Sequence, residues 1–390
     1  MLFILVALVL APIVIAIYAY AVYPLILWVI ASARPAHGIP KAGTLWPAVT
    51  ITVPVYNAAS SIRATLEHLL ALDYPPDRLQ LLVISDASTD ATDDEVRGFA
   101  ERGVELLRLP RRIGKTAAEN AALSFARGEI IVNVDATILV PADSLKSLVR
   151  VFDDPTIGVA SGCDLSVGDT RQTGTRAESN YTGYEMWIRD LETRAGSIVG
   201  ASGCFYGIRR SIHEEALPLG LSWDFASPLV ARKQGYRSVS VPAAICIVPR
   251  SAQIRTELGR KARTMARGLS TLFYHRALMN PLRYGGFAFM LISHKLLRWL
   301  PYLLAPLGYI ALCLLAVESS VARVLLGIVS AGLLAGIFGI QHRGPTPAKP
   351  IALAGFVVAV FSAGFLAWYA AIRQTQMATW EPTPRREVQT

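Results

Sequence analysis

Charged side chains are scarce in this sequence: they make up 17% of its 390 residues, whereas 53% are hydrophobic. A soluble protein of this length would be about one-quarter charged. Residues 1–33 hold no charged side chain at all, and they exceed the roughly 20 apolar residues that cross a hydrocarbon core. The sequence therefore predicts an integral membrane protein with a retained N-terminal transmembrane helix. A cleaved signal peptide, with its basic start and shorter apolar core, is disfavoured.

Three further runs near the C-terminus also lack charge, namely 299–317, 324–340 and 351–372. The basic residues that flank the predicted spans are Arg34, Lys41, Arg343 and Lys349. Because basic flanks favour the cytosolic side, we expect the N-terminus outside and the large intervening segment in the cytosol, at the plasma (inner) membrane. The absence of ionisable residues inside these three runs disfavours a pure transporter.

The segment 287–298 is apolar but short, and it carries His294, Lys295 and Arg298. An interfacial helix fits this segment better than a fifth crossing, although four crossings place the basic residues of the tail outside. The predicted organisation is an N-terminal transmembrane helix (1–33), a cytosolic domain (46–250), amphipathic interfacial helices (251–298), three transmembrane helices (299–372) and a polar tail (373–390).

Cysteine is also rare, and the four residues, at positions 163, 204, 246 and 313, have no metal-ligand spacing and no paired framework. This argues against a zinc site and structural disulfides, and it agrees with a reduced cytosolic domain. The formal charge of +9 lies largely beside membrane spans and in one basic helix. We therefore expect anionic lipid headgroups and phosphates as partners, and no nucleic acid.

Between Pro47 and Pro249 the sequence alternates strand and helix patterns. Predicted strands cover 49–53, 81–84, 104–109 and 130–134. Predicted helices begin after a cap at Ser60, span 90–101, and span 115–127 with Gly128 as the residue that closes the helix. This alternation predicts an α/β domain with a mostly parallel sheet and helices on both faces.

Carboxylates follow the predicted strands. Asp86 and Asp135 each come directly after an apolar run, where a carboxylate can hydrogen-bond a nucleoside or bind a hard cation. Either one alone is more often a turn residue, but two on neighbouring strands favour a ligand site. Asp224 follows Trp223 before a helix, where it is either a helix cap or a general base.

Two basic features accompany these carboxylates. Gly114-Lys115-Thr116 is not a nucleotide-binding phosphate loop, because Leu109 stands where that loop requires glycine. Lys115 at a helix start is either an anion contact or a solvent-facing lysine. The run 255–272 predicts an amphipathic helix with a cationic stripe (Arg260, Arg263 and Arg267), which serves either a membrane surface or a diphosphate.

Together these motifs resemble the membrane-bound family-two glycosyltransferases, which include chitin, cellulose and hyaluronan synthases and polyprenyl-phosphate sugar transferases. The resemblance covers residues 48–300, and it implies a GT-A domain that binds nucleotide sugars. It assigns nucleotide and donor binding to Pro54, Tyr56, Asp86, Lys115 and Asp135. It also implies Mg²⁺ or Mn²⁺ at Asp135.

The same resemblance implies the acceptor side of the site. The segment 200–206 is similar to the family's acceptor segment, which points to Gly203, Cys204 and Trp223 as acceptor contacts. Asp224 would be the catalytic base. Arg263 and Arg267 would bind the diphosphate.

The sequence departs from the family pattern at three places. Thr137 stands where a second acidic metal ligand is usual, and Trp223 replaces the acid that commonly precedes the base. The Gln-x-x-Arg-Trp signature of processive synthases is absent, and residues 263–268 occupy that region.

The resemblance implies an inverting membrane glycosyltransferase that moves a sugar from a nucleotide-diphosphate donor to a lipid-linked or growing polysaccharide acceptor, with export proteins as further partners. Transfer of a single sugar to polyprenyl phosphate is one alternative. A catalytically impaired nucleotide-sugar sensor in a polysaccharide secretion complex is another.

Overall fold

The computed structural model describes residues 1–34, 45–167, 173–213, 215–249, 254–342 and 348–373. These residues fall into two compact units. The membrane unit comprises the described residues of 1–28, 173–177 and 254–373, and the sheet unit comprises those of 29–167 and 178–249. Lys41, Arg343 and the predicted tail beyond Arg373 lie outside the described residues.

The strands and helices follow each other in the order that the sequence predicts. The strands are β1 (Val49–Val55), β2 (Leu79–Ser85), β3 (Val104–Arg108), β4 (Ile130–Val134), β5 (Ile157–Val167), β6 (Phe205–Arg209) and β7 (Arg237–Pro249). The α-helices are α1 (Leu2–Ile17), α2 (Tyr23–Ser32), α3 (Ile62–Leu70), α4 (Thr92–Arg97), α5 (Lys115–Ala122), α6 (Ser144–Arg150), α7 (Thr173–Ala195), α8 (Trp223–Lys233), α9 (Ile254–Tyr274), α10 (Pro281–Tyr284), α11 (Gly286–Leu291), α12 (Leu297–Glu318), α13 (Ser320–Gln341) and α14 (Lys349–Ile372).

The seven strands form one sheet in the order β3-β2-β1-β4-β6-β5-β7. Pairing is parallel among β1, β2, β3 and β4 and between β5 and β7, whereas β6 runs antiparallel to both β4 and β5. The prediction of a mostly parallel sheet is confirmed. The reversed β6 places its first residue at the same sheet edge as the last residues of β1, β2 and β4.

Helices cover both faces of this sheet, as the apolar character of the strands requires. Along β2, Leu81 and Val83 pack in a core cluster with residues of α3, α4 and α6. The alternate residues Leu82 and Ile84 pack instead against Ala118 of α5. Both faces of β2 are therefore buried. Polar groups that contact a ligand must lie in the loops at the edge of the sheet.

Some predicted helix boundaries in the sheet unit were wrong. α3 begins at Ile62 after Ser61, not after a cap at Ser60. α5 ends at Ala122, five residues before the predicted end. Gly128 does not close a helix: its N–H donates to Thr50 Oγ1 at 2.8 Å, and a Cβ there would lie 2.3 Å from the Thr50 nitrogen. Glycine is needed here for close backbone packing beside β1, not for a left-handed cap.

Among the residues that the structure describes, four helical segments are long and apolar enough to cross a membrane by length and composition: Leu2–Ser32, Gly286–Glu318, Ser320–Gln341 and Lys349–Ile372. The second begins earlier than the predicted span, because α11 continues through a π-helical turn (Ile292–Leu296) into α12. His294 and Arg298 are buried at 1% and 5% exposure, and the Arg298 guanidinium lies 4.9 Å from the Tyr20 ring centre. Both side chains are therefore turned inward, and the interfacial character of residues 287–298 stays a prediction.

The membrane unit is held together by close helix approaches and by a polar link. A Cβ on Gly308 of α12 would lie 3.0 Å from the Leu8 carbonyl oxygen of α1, a spacing that a small residue permits. The first span contains its own π turn, Tyr18–Val22, and the Tyr18 hydroxyl lies 3.0 Å from Ser293 Oγ in the other π turn. The predicted amphipathic helix is present as α9, whose Leu269 is fully buried.

We expect Gly128→Ala to destabilise the sheet unit. The added Cβ would overlap the β1 backbone, and overpacking of this kind costs about 1–3 kcal/mol. Thermal unfolding in detergent, followed by tryptophan fluorescence, would measure the effect. Gly183→Ala is the matched control, because a Cβ there meets no atom within 4 Å. Equal unfolding midpoints for the two variants would contradict the close-packing role.

Candidate active site

Two loops at the carboxyl ends of β1 and β2 are joined by side-chain hydrogen bonds. Asn57 Oδ1 accepts the Thr89 N–H at 2.8 Å, and the Asn57 N–H donates to Ser88 Oγ at 3.1 Å. Asn57 and Ala87 both have positive φ, at 48° and 55°, a conformation that is uncommon outside glycine. The chain therefore turns sharply where these strands end, and this forms a fixed edge to the candidate site.

Asp86 lies at this edge, fully buried, and it orders the turn before Lys115. Its Oδ1 accepts the N–H of Ile113 at 2.7 Å, and its Oδ2 accepts the N–H of Gly114 at 2.8 Å. Gly114 has a φ of 112°, which disfavours any side chain. Asp86 was predicted to contact the nucleotide directly. In the structure its carboxylate faces the chain's own backbone, because these two amide groups need an acceptor once they are buried.

Lys115 is the centre of a charged cluster at the end of β4. Its Nζ donates to Asp135 Oδ1 at 2.7 Å and to the carbonyl oxygen of Gly203 at 3.0 Å, and it lies 3.9 Å from a carboxylate oxygen of Glu119. Burial acts to lower the pKa of Lys115, but the carboxylates of Asp135, Glu119 and Asp224 outweigh it and raise that pKa above its ordinary value. A permanent positive charge therefore lies among three acidic groups.

Asp224 lies next to Gly203. A Cβ on Gly203 would come within 3.1 Å of Asp224 Oδ2, so glycine allows the backbone to approach the carboxylate closely. The Ser222 hydroxyl donates to Asp224 Oδ1, and the Asp224 carbonyl oxygen accepts the Ala201 N–H at 3.0 Å. Asp224 is in the first turn of α8, half-buried, with one oxygen oriented by Ser222 and the other next to Gly203. This is a suitable environment for a general base.

Trp223 was predicted to contact the acceptor, but its side chain lies in the core. It is 2% exposed, it stacks on His213 with ring centres 3.8 Å apart, and its Nε1–H donates to Asn120 Oδ1 at 2.7 Å. Because α8 begins at this residue, the indole anchors the helix start while the next side chain, Asp224, faces the site. Trp223 therefore fixes the start of α8, and with it the backbone that carries Asp224.

Helix α5 links Lys115 to the chain segment that precedes Asp224. Its first residue is Lys115, and Thr116 Oγ1 donates to the Leu221 carbonyl oxygen at 2.7 Å. Asn120 Nδ2 donates to the Leu217 carbonyl oxygen at 2.8 Å, and Asn120 Oδ1 accepts the Leu217 N–H at 3.1 Å. One helix thus carries the ammonium and fixes the segment that leads to Asp224.

Pro54 and Tyr56, predicted to hold the nucleotide, lie at the end of β1. Pro54 is buried and pairs with Ile84 of β2, while pairing with β4 ends at Thr52. A proline, which lacks a backbone N–H, is tolerated beyond the end of that pairing. The Tyr56 ring is half-exposed, and the guanidinium of Arg112 lies 3.8 Å from its centre. Tyr56 therefore presents an aromatic surface at the site, and Pro54 supports it from below.

The predicted acceptor segment contributes backbone groups to the site. The Cys204 carbonyl oxygen accepts the Asp135 N–H at 3.0 Å, and the Cys204 N–H donates to the buried Ser202 Oγ at 3.1 Å. Gly203 and Cys204 are both half-buried. The structure thus brings Gly203, Cys204, Lys115, Asp135 and Asp224 together.

The residues at Asp135 do not form a complete site for a divalent cation. One oxygen of Asp135 is already bonded to Lys115, and residue 137 is threonine. Within the described parts of the chain, no group of three or more His, Cys, Asp or Glu side chains could hold a metal ion. The predicted Mg²⁺ or Mn²⁺ would have a single protein carboxylate as its ligand.

The two arginines predicted to bind a diphosphate, Arg263 and Arg267, lie on α9 of the membrane unit, and both are half-buried. Their role stays a prediction. Sequence reasoning missed Thr116, Asn120 and His213. The one local signal was an asparagine in the middle of a helix, where this residue is a poor helix former and often has a specific hydrogen-bonding reason to be present.

We expect Asn120→Ala to destabilise the sheet unit by about 2–4 kcal/mol, because the Trp223 N–H and both backbone groups of Leu217 would lose partners in a buried place. The measurement is thermal or denaturant unfolding in detergent. Ser124→Ala, at an exposed serine two residues beyond the end of α5, should leave stability unchanged. A stability loss equal to that of Ser124→Ala would contradict the anchoring role.

His213 gives a second test. Burial lowers its pKa to about 3, from an ordinary value near 6.5, so it is neutral in the folded chain. Because the unfolded chain takes up a proton on this residue first, its contribution to stability is lost as pH falls from about 6.5 towards 3, by up to ~1.4 kcal/mol per pH unit. His213→Phe, which keeps a stacked ring, should lose less stability between pH 7 and pH 5 than the parent. Identical pH dependence in the two proteins would refute the assignment.

Comparisons with known proteins agree with this geometry. Residues 50–217 match the family model for Glycosyl transferase family 2. Among curated relatives, an N-acetylglucosaminyltransferase of Mesorhizobium japonicum is 27% identical over 241 residues, which covers 56% of this chain and 55% of that protein. The probable glycosyltransferase YdaM of Bacillus subtilis is 34% identical over 185 residues, covering 46% of this chain and 43% of that protein.

A beta-monoglucosyldiacylglycerol synthase of Nostoc is 27% identical over 182 residues, covering 46% of this chain and 39% of that protein. This chain spans about half the length of the first curated relatives that it matches. Among solved structures, the mannosyltransferase PcManGT from Pyrobaculum calidifontis, in complex with GDP-Man and Mn²⁺, aligns with a TM-score of 0.70 at 24% identity. That alignment covers 94% of this chain and 99% of that one. Residues 50–217 of this chain are thus a glycosyltransferase family 2 domain with the GT-A fold.

Proposed function

We propose that this chain is an inverting glycosyltransferase at a membrane surface, which moves a sugar from a nucleotide-diphosphate donor to a lipid-linked or growing polysaccharide acceptor. The observation that carries the proposal is the arrangement of Lys115, Asp135 and Asp224 around Gly203. The Lys115 ammonium is bonded to the carbonyl oxygen of this glycine, and the Asp224 carboxylate, which Ser222 orients, lies next to it. A single displacement needs these two groups: a cation for the leaving group and a base for the nucleophile.

The reaction follows from those positions. Asp224 accepts the proton of the acceptor hydroxyl as that oxygen attacks the anomeric carbon, and the Ser222 hydroxyl holds the carboxylate in one orientation. The bond between the anomeric carbon and the diphosphate oxygen breaks, and the Lys115 ammonium stabilises the charge that develops on the diphosphate. Attack from the face opposite the leaving group inverts the anomeric configuration.

The base and the leaving-group cation are both in position, and this argues against an impaired nucleotide-sugar sensor. Such a sensor would not require an aspartate oriented by Ser222 next to Gly203. Trp223, which departs from the family pattern, fills the core beside Asn120 and leaves the base in place. The substitution therefore alters how Asp224 is supported, and the chemistry of the carboxylate itself is unchanged.

A membrane-associated acceptor agrees with the four candidate spans and with a curated relative named as a diacylglycerol glycolipid synthase. We place the sheet unit in the cytosol of a multi-pass protein of the plasma (inner) membrane, where nucleotide sugars are made. Relatives named for N-acetylglucosamine and a neighbour bound to GDP-mannose define the first donors to test. A single transfer to polyprenyl phosphate and handover to export proteins are outcomes that the acceptor assay would separate.

Purified full-length protein in detergent with added membrane lipids should release nucleoside diphosphate from one member of a panel of UDP- and GDP-sugars. We expect Asp224→Asn to lower the turnover number about 10²–10⁴-fold, the usual contribution of a positioned base, while donor affinity stays the same. Asp77→Asn, at an exposed aspartate of the sheet unit, is the matched control and should keep full activity.

Activity in Asp224→Asn equal to that of the Asp77→Asn control would overturn the assignment of the base. An acceptor assay that yields a product with retained anomeric configuration would overturn the single-displacement mechanism.

A further inference from the structure

The positive charge next to Asp135 comes from the protein's own Lys115. Lys115 Nζ lies 2.7 Å from Asp135 Oδ1, which is the distance of a charge-assisted hydrogen bond. We propose that Lys115 takes the place of a divalent cation at this carboxylate, so that the donor diphosphate binds without metal. This inference rests on the proposed function, because it concerns how the same donor is held.

The first argument is that the protein offers too few anionic ligands for a divalent cation. Divalent cations such as Mg²⁺ and Mn²⁺ prefer anionic oxygen ligands. Asp135 offers one carboxylate, and Thr137, two residues further on and half-exposed, offers only a neutral hydroxyl. A second acidic residue at 137 would place two carboxylates at the end of β4, and this chain does not have it.

The second argument is repulsion. A divalent ion bound to Asp135 would lie close to the Lys115 ammonium, because that ammonium is already in contact with one carboxylate oxygen. The lysine is also held by the Gly203 carbonyl oxygen at 3.0 Å and by Glu119 at 3.9 Å. Metal binding would therefore require the displacement of a well-anchored cation.

The third argument is that Lys115 can still reach a ligand. An ammonium has three N–H donors, and two of them are directed at Asp135 and Gly203. The side chain keeps 23% of its surface exposed. Lys115 is also the first residue of α5, so the N-terminus of this helix adds to the positive potential that a diphosphate would meet.

The test measures binding and does not depend on turnover. UDP and GDP serve as probes, titrated by calorimetry into full-length protein in detergent, once with EDTA and once with Mn²⁺. We expect the tighter probe to bind equally well in both conditions. Electron paramagnetic resonance should show the added Mn²⁺ as free ion, and Lys115→Gln should weaken the probe by about tenfold or more in EDTA.

The matched pair of variants is Thr137→Asp and Thr137→Asn, which have similar size and differ in charge. We expect Thr137→Asp to bind Mn²⁺ and to bind the probe more tightly with Mn²⁺ than with EDTA, whereas Thr137→Asn should remain indifferent to Mn²⁺. A Thr137→Asp protein with no response to Mn²⁺ would overturn the argument from the missing carboxylate.

A parent protein that binds the probe only with Mn²⁺, with Mn²⁺ immobilised in the resonance spectrum, would overturn this inference and leave the proposed function standing. Binding of neither nucleotide in either condition would overturn both.

Discussion

The candidate site depends on the two hydrogen bonds that the buried Asp86 carboxylate accepts from the backbone of Ile113 and Gly114. These bonds fix the turn that starts α5. Because Lys115 is the first residue of that helix, the position of the ammonium follows from the position of the buried Asp86 carboxylate. Without that carboxylate, two buried amide groups would lack an acceptor. The turn would then lose the bonds that hold Gly114 at its positive φ.

Further hydrogen bonds extend this constraint from α5 to the start of α8. Thr116 and Asn120, further along α5, bond the backbone of residues 217–221, and Asn120 also bonds the indole of Trp223. The start of α8 is thereby tied to the start of α5. The distance between the Lys115 ammonium and the Asp224 carboxylate is therefore set by Thr116 and Asn120 on one short helix. A rigid support behind an accessible surface is what preorganised electrostatic catalysis requires.

The sequence analysis located the strands and the carboxylates because both are local signals. Buried parallel strands appear as apolar runs, and Asp86, Asp135 and Asp224 come directly after such runs or before a helix. It failed where distant residues determine the outcome. Gly128 is required by the backbone of Thr50, and Trp223 is drawn into the core by His213 and Asn120. Little in the local sequence indicated the role of Asn120, because its three hydrogen bonds go to Leu217 and Trp223, about one hundred residues away along the chain.

The reversal of β6 has a consequence for which parts of the chain build the site. Because β6 begins at the edge where β1, β2 and β4 end, the candidate site takes Lys115 and Asp135 from residues before 137 and Gly203, Cys204 and Asp224 from residues after 200. The site is thus assembled from two consecutive blocks of the gene. The two blocks meet where Thr116 and Asn120 bond residues 217–223, so a change in the second block alters the site only as far as it keeps these contacts.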